Sequence, residues 1–524
     1  MMQDNNNNTD STDSSITPTT PNTDSITTST NNTTSSTPGM DRRDFLKTLG
    51  ILGVVAAGST SLLSGCMTKA YKRNPSEKAG ATRSFDLVIV GAGGTGLAAA
   101  ITAFDAGVKE IIILERQTYN GGNTNFSSSG MNASETKFQK KQDIKDSNQL
   151  FIDETYTGGK EKGDKALVEH LCNNSAEAID WLDGLGITLD NITQMAGASL
   201  KRCHRPTDGS AVGKTLVPSL VSAVGSRGIP IENGVGVSKL IMKEGRVDGV
   251  ELENGSHIAA GAVILATGGF GANFDMIAEY RPDLKDFKTT NAEGTKGDGM
   301  RMAHEAGAAL VDMDQIQIHP TVADNGSLIA EGIRGGGAIL VNTEGKRFID
   351  ELKTRDVVSA AELKQPGGFA YVLYDAQVYG SNKEAANYEK LELSVKADTL
   401  EALAKKLKID AAALQATVAA YNACTTEGKP DAFERKQGMI ALEKAPFYAC
   451  KVSPGIHHCM GGIRINTRNQ ALKADGTPLP ALFAAGETTG GIHGANRLGG
   501  NAVCDIMVNG RQAGRSAVEF LNKK

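Results

Sequence analysis

Apolar residues gather along this chain in two kinds of run. The first is short and nearly continuous: Phe85-Asp-Leu-Val-Ile-Val90, Glu110-Ile-Ile-Ile-Leu-Glu115 and Ala262-Val-Ile-Leu-Ala266. Each is bounded by glycines or acids, the pattern of a strand buried on both faces. The second kind recurs at three and four residues. It spans 146–190, as in Ala166-Leu-Val-Glu-His-Leu-Cys172 and Ala176-Glu-Ala-Ile-Asp-Trp-Leu182, and returns at 398–408 and 410–423. These predict amphipathic helices. Residues 230–256 alternate as a β-meander, with Asn254-Gly255 as a hairpin turn, and the last segment predicts a helix. Buried strands interleaved with helices predict an α/β fold.

The junction after the first strand carries chemistry. Gly91, Gly93 and Gly96 stand at G-x-G-x-x-G spacing and lead into Leu97-Ala-Ala-Ala100. Such a turn brings backbone N–H groups and a helix N-terminus onto a pyrophosphate. The second strand ends in Glu115, 19 residues after Gly96, where a ribose hydroxyl needs an acceptor. The unit therefore predicts dinucleotide binding. Asn120-Gly-Gly-Asn-Thr124 and Ser127-Ser-Ser-Gly-Met-Asn132 follow without periodicity, as ordinary turns or as loops wrapping a flavin. A second glycine turn, Thr267-Gly268-Gly269, closes the 262–266 strand. From about residue 314, polar groups fall where an interior is expected: Gln317-Ile-His319-Pro, Glu331-Gly-Ile-Arg334, Arg347 and Thr354-Arg355-Asp356. We read 85–313 and 458–524 as two parts of one cofactor domain and 314–457 as an inserted domain facing the cofactor.

Composition adds the leader and excludes some partners. Residues 1–39 are almost all Asn, Thr, Ser, Asp and Pro, a disordered composition. They are either a tail or an over-long start before Met40. Arg42-Arg43-Asp44-Phe45-Leu46-Lys47 and the apolar run to Leu63 resemble a twin-arginine export signal, too short and glycine-rich to span a bilayer. Leu63-Ser64-Gly65-Cys66 resembles a lipoprotein cleavage box. Cys66 is then lipidated, or cleavage falls nearby and leaves it unmodified. Residues 67–84 read as a tether. A net charge of −5 argues against nucleic acid. The seven cysteines form no C-x-x-C and no C-x-x-C-H, so neither a zinc ribbon nor an attached c-type haem is encoded, and no metal site is expected.

Taken together, Gly91–Gly96, Glu115, Gly122-Asn123-Thr124, Ala266-Thr-Gly-Gly269, His319-Pro320-Thr321, Glu331 with Arg334, Arg355, His457-His458 with Gly461-Gly462, Ala485-Gly-Glu487 and His493-Gly-Ala-Asn-Arg497-Leu-Gly-Gly500 resemble the fumarate reductase and succinate dehydrogenase flavoprotein family. The likeness covers 85–524 and is nearest to its exported branch of flavocytochrome c fumarate reductases and urocanate reductases. It implies a Rossmann-like FAD-binding domain with an inserted α+β capping (clamp) domain, and FAD as cofactor. The FAD contacts it implies are Gly91, Gly93, Thr95, Gly96, Glu115, Asn123, Thr124, Ser129, Gly130, Thr267, Gly268, Asp298, Glu487, Arg497, Ala502 and Val503. No His lies between Asn125 and Gly130, where membrane-bound relatives link their flavin, so non-covalent FAD is expected.

The chemistry implied is reduction of a C=C bond conjugated to a carboxylate. Hydride passes from N5 of reduced FAD to the β-carbon, and Arg355 gives a proton to the α-carbon. Glu331 and Arg334 return that proton. His458 and Arg497 bind the substrate carboxylate, His319 its far end, and Gly500, Met195 and Leu328 line its place. Without the resemblance, Arg355 reads first as a structural salt-bridge partner of Asp356. Fumarate reductases of this branch carry a threonine where this chain has Ala330, which removes one hydrogen bond from a second carboxylate. That weakens the case for a dicarboxylate and makes urocanate, cinnamate-type acids and methacrylate alternatives, with fumarate still the first substrate the resemblance implies. With no haem motif, electrons are expected from a separate donor, a cytochrome c or a membrane quinol dehydrogenase. The rival readings are a flavin dehydrogenase or oxidase, and a non-catalytic flavin electron carrier.

Overall fold

A computed structural model describes residues 83–195 and 197–523. The leader, the tether and Cys66 lie outside the described residues. Strand β1 (Arg83–Val90) runs into helix α1 (Gly94–Asp105) and then strand β2 (Ile111–Glu115). The four last residues of β1 and the four first of β2 are buried, as their unbroken apolar runs require. β1 and β2 pair in parallel, Leu87 opposite Ile111 and Val90 opposite Leu114. Further along the chain come β3 (Ile231–Asn233), β4 (Val237–Lys243), β5 (Arg246–Leu252) and β6 (His257–Leu265). β4 and β5 turn through Glu244 and Gly245, both at positive φ, so a second hairpin accompanies the one at Asn254-Gly255.

β6 lies parallel to β1 on the side opposite β2. Among the described residues the sheet has eight strands. Its continuous path runs from β10 (Gln470–Leu472) through β11 (Pro478–Ala484), β6, β1 and β2 to β3, while the β4–β5 hairpin joins through β6. The chain therefore returns to this sheet after residue 470, and its last helix, α4 (Asn501–Leu521), packs against α1. Close approach there needs small residues: a Cβ on Gly510 or Gly514 would come within 2.7 Å or 2.6 Å of α1 backbone carbonyls.

The intervening chain builds a second group of buried residues, which runs from Ala323 to Val452. Its sheet centres on β9 (Phe447–Cys459), with β7 (Ile316–Val322) and β8 (Ala370–Asp375) antiparallel to it. β9 is long enough to serve both cores. Ala449, Cys450 and Val452 belong to the second, and Ile456 and Cys459 to the first. The boundary expected at 457/458 thus falls inside one continuous strand.

Two short connections hang from this sheet, helix α2 (Glu331–Gly335) and helix α3 (Arg355–Leu363), and α3 packs on β7 and β9. Among the described residues no helix is long and apolar enough to cross a membrane.

Candidate active site

The glycine turn between β1 and α1 is set by contacts that no side chain allows. Gly91 has φ 108°, and a Cβ there would stand 2.3 Å from the Ala266 carbonyl oxygen. A Cβ on Gly96 would stand 2.0 Å from the Gly91 carbonyl oxygen. Gly93 caps α1 with no side-chain hydrogen bond, which leaves the helix N-terminus open to an anion. Glu115 accepts the amides of Ala92 and Gln117 at 2.8 Å each, and burial raises its carboxyl above the usual range. Asn123 donates to Glu487 at 3.1 Å and accepts from the Ala292 amide at 2.8 Å.

One cavity follows this cradle. Gly91, Gly93, Thr95, Glu115, Asn123, Thr124, Ser129, Thr267, Gly268, Asp298, Glu487, Ala502 and Val503 all line it. Gly96 and Gly130 stand outside the lining. Gly96 packs the turn, and Gly130 lies on the His204 carbonyl, 2.3 Å from where its Cβ would be. Asp298 accepts Arg116 at 2.6 Å beside the cavity. An elongated cleft that begins at an open helix N-terminus and passes an acid after β2 fits FAD.

The far end of the cavity is built by the other set. Arg355, Leu328, His457, His458, Arg497 and Gly500 line it, and His319, Glu331, Arg334, Ala330 and Met195 are buried outside the lining. Arg355 is the first residue of α3 and Glu331 the first of α2. Arg355 donates through Nε to Glu331 Oε2 at 3.0 Å, and its NH2 lies 3.0 Å from the same oxygen. Asp356 pairs instead with Lys160. A Cβ on Gly499 would meet Met195 Cε at 2.8 Å, Arg355 NH2 at 3.4 Å and Glu331 Oε1 at 3.6 Å, so this glycine lets the chain before α4 lie on the pair.

Gln317 organises the cations, a role the sequence did not single out. Its Oε1 accepts Arg355 NH1 at 2.9 Å and Arg497 NH2 at 3.2 Å. Its amide nitrogen donates to Asn496 Oδ1 and to the Arg497 carbonyl, both at 2.8 Å. A neutral acceptor thus holds two guanidiniums side by side. Arg497 is buried, and its Nε has no hydrogen-bond partner. Burial, then the Arg355 charge, pulls its proton affinity down, to about 9. Glu331 is the carboxylate paired with Arg355, and burial together with neighbouring arginines keeps the three histidines neutral. The site therefore carries excess positive charge for an anion.

The histidines differ. Nδ1 of His319 accepts the Thr321 amide at 3.2 Å, so the proton of the neutral ring sits on Nε2, which has no hydrogen-bond partner and lies 4.0 Å from Glu331 Oε2. Nδ1 of His458 stands 3.4 Å from Glu487 Oε1, an oxygen that also accepts the Cys459 amide at 3.1 Å. His457, which the sequence reading left without a role, contacts the Thr290 hydroxyl at 2.8 Å through Nδ1. Its ring meets His319 edge-on, with centroids 5.1 Å apart. Adjacent strand residues ordinarily face opposite ways. Here Gln317 pairs with His458 but Ile318 pairs with Ile456, so His457 is bulged and both rings reach one cavity. Ala330 gives its amide to the Tyr388 hydroxyl at 2.8 Å.

Residues 86–503 match the family described as FAD binding domain. The chain is 44% identical over 462 residues to an NADH:fumarate oxidoreductase of Klebsiella pneumoniae, covering 86% of this chain and half of that relative's length. It is 43% identical to a fumarate reductase (cytochrome) of Shewanella frigidimarina, covering 84% of this chain and 78% of the relative. The solved open conformation of a flavocytochrome c3 fumarate reductase superposes with a TM-score of 0.73 at 42% identity, over 84% of this chain and 79% of that one.

Proposed function

Because the chain belongs to the FAD-binding family of fumarate reductase flavoproteins, we propose that it is an FAD-dependent oxidoreductase that reduces a C=C bond conjugated to a carboxylate. The observation that carries this reading is the pair of guanidiniums held together by Gln317 where the cavity leaves the FAD cradle. Bound FAD supplies hydride chemistry. The protein's own work is to bind the acid, polarise its double bond and supply a proton. Arg497 and the Nε2–H of His319 hold the anion, and donors aimed at it gain strength as negative charge grows there. His457 shares the carboxylate contact assigned to His458, because His458 is turned onto Glu487. Arg355 gives the proton, and Glu331, 3.0 Å away, begins its return with Arg334.

Fumarate is the first substrate to test. A second reading, a mono-carboxylate such as urocanate, cinnamate or methacrylate, is favoured by Ala330, which has no side-chain donor and whose amide is already bound to Tyr388. An anaerobic panel of these four acids with reduced methyl viologen distinguishes them. Fumarate turnover at least as fast as the rest ends the mono-carboxylate reading. Turnover of none of the four ends both. FAD is held non-covalently in this proposal, and acid precipitation should release all of it. The export signal, Cys66 lipidation and a separate cytochrome c or membrane quinol dehydrogenase as donor belong to the same proposal. Loss of membrane association in Cys66→Ala tests the anchor.

A further inference from the structure

The side-chain amide of Gln317 makes all four hydrogen bonds open to it, two as acceptor from guanidiniums and two as donor. Rotated by half a turn, the same amide would set its N–H groups against guanidiniums, which donate and cannot accept. The orientation of this amide therefore decides whether Arg355 and Arg497 can sit side by side. Its donors go to the Arg497 carbonyl and to Oδ1 of Asn496, both at 2.8 Å.

Asn496 is itself fixed from behind. It is 3% exposed, and its Nδ2 donates to the Gly158 carbonyl at 3.1 Å. A backbone carbonyl only accepts, so this bond turns Oδ1 of Asn496 toward Gln317, and that oxygen in turn takes the Gln317 N–H. Gly158 ends the helix Asn148–Gly158, whose last carbonyls lack donors within the helix. The Ala495 amide donates to the next carbonyl, that of Gly159, at 2.9 Å. Small residues let the two segments touch: a Cβ on Gly159 would stand 2.7 Å from the His493 carbonyl oxygen, and one on Gly494 2.3 Å from that of Gly159. Lys160 in the same turn also reaches Asp356, beside Arg355, but that pair is partly exposed and contributes little.

We propose that Asn496 is a positioning residue for the arginine pair. It carries the fixed end of the helix Asn148–Gly158 onto the Gln317 amide, and through that amide onto Arg355 and Arg497. The inference rests on the reading of Arg355 as proton donor and Arg497 as anion holder. The position needs a donor and an acceptor back to back, in a buried place where an unmade hydrogen bond costs free energy. Aspartate has no donor for the Gly158 carbonyl and would bring negative charge to the anion site. Leucine, of similar size, has neither group. Asparagine meets both demands and, like Gln317, stays neutral.

The test is a mutant cycle on the FAD-loaded enzyme with Asn496→Ala, Gln317→Ala and the double variant. Asn496→Ala should raise KM and lower kcat, each about 3- to 10-fold, at wild-type flavin content. In the Gln317→Ala background the same change should have less than about a twofold effect, because residues that act through one another are not additive. Equal losses in both backgrounds overturn the proposal, and so do wild-type constants in Asn496→Ala. Lower flavin content or stability, with wild-type constants in the loaded fraction, means that Asn496 supports folding only and overturns it as well. Asn496→Ser keeps a group that donates and accepts and should fall between wild type and Asn496→Ala. It takes the place of Asn496→Ala in the cycle if that variant does not fold. The cycle is also read without turnover, as affinity for malonate, which cannot form a C=C bond, from the change in the flavin spectrum. A wild type that reduces none of the unsaturated acids ends the proton-donor reading, while the malonate cycle still decides the role of Asn496. Absence of both turnover and malonate binding in the wild type overturns both.

Discussion

Gln317 holds together two cations that would otherwise repel, and it does so with one amide oxygen. Its neutrality matters as much as its reach. A carboxylate in the same place would accept from both guanidiniums and cancel the charge that draws the substrate. Gln317→Glu should therefore raise KM for an unsaturated acid about 10-fold or more, by roughly 1.5–3 kcal/mol, while the flavin content stays at the wild-type level. Saturation kinetics beside an absorbance measurement of bound FAD checks it, and an unchanged KM removes Gln317 from the anion site. Arg355 is more exacting. Arg355→Lys keeps a cation but loses the planar fork that engages Glu331 and Gln317 together. Turnover should fall about 10²- to 10⁴-fold, the range for a lost general acid. A smaller change in the single-turnover rate would mean that the proton comes from elsewhere.

The cofactor element was legible in the sequence because its constraints are local. The apolar runs at 85–90 and 110–115 became β1 and β2, and the turn between them is fixed by backbone contacts that exclude a Cβ. The Arg355–Glu331 pair was reached through the resemblance, and the structure brings the two within 3.0 Å. What stayed hidden is non-local. Gln317 looks like any strand glutamine until Arg497, 180 residues away, arrives beside it. The role of His457 depends on a bulge that no alternation rule marks. The local claim can be tested with a pair of glycines. Gly91 and Gly107 have φ 108° and 112°, but a Cβ on Gly107 meets nothing within 4 Å. Each Gly→Ala change should cost about 1–3 kcal/mol of backbone strain. Gly91→Ala alone should also lose FAD, read as flavin per chain after gel filtration.

At the scale of the whole molecule, a chain of net charge −5 buries an arginine-rich site whose histidines are held neutral. A further buried histidine lies outside the cavity lining. His204 donates from Nδ1 to the Arg202 carbonyl at 2.8 Å and accepts the Thr136 hydroxyl at Nε2, also 2.8 Å. Burial lowers its proton affinity from the usual 6.5 to about 4. A depressed value means that the unfolded chain binds the proton first, so the stability His204 contributes is intact above 6.5 and lost as pH falls toward 4. The three site histidines act in the same direction, each by up to about 1.4 kcal/mol per pH unit within its window. Glu362 acts in the opposite sense. Its raised carboxyl stays protonated after the unfolded chain has released its proton, so stability is lost as pH rises from the ordinary carboxyl range toward its folded value. Denaturant unfolding of the FAD-loaded protein should therefore show stability falling from pH 7 to pH 5. His204→Gln keeps polar contacts at that position without titrating, and leaves the cavity lining untouched. It should make the decline shallower by about one histidine's share, about 1.4 kcal/mol per pH unit. An unchanged slope in that variant would mean that His204 takes up its proton without unfolding, and would refute a buried ring kept neutral at neutral pH on the strand residue that pairs with both Met131 and Ile192.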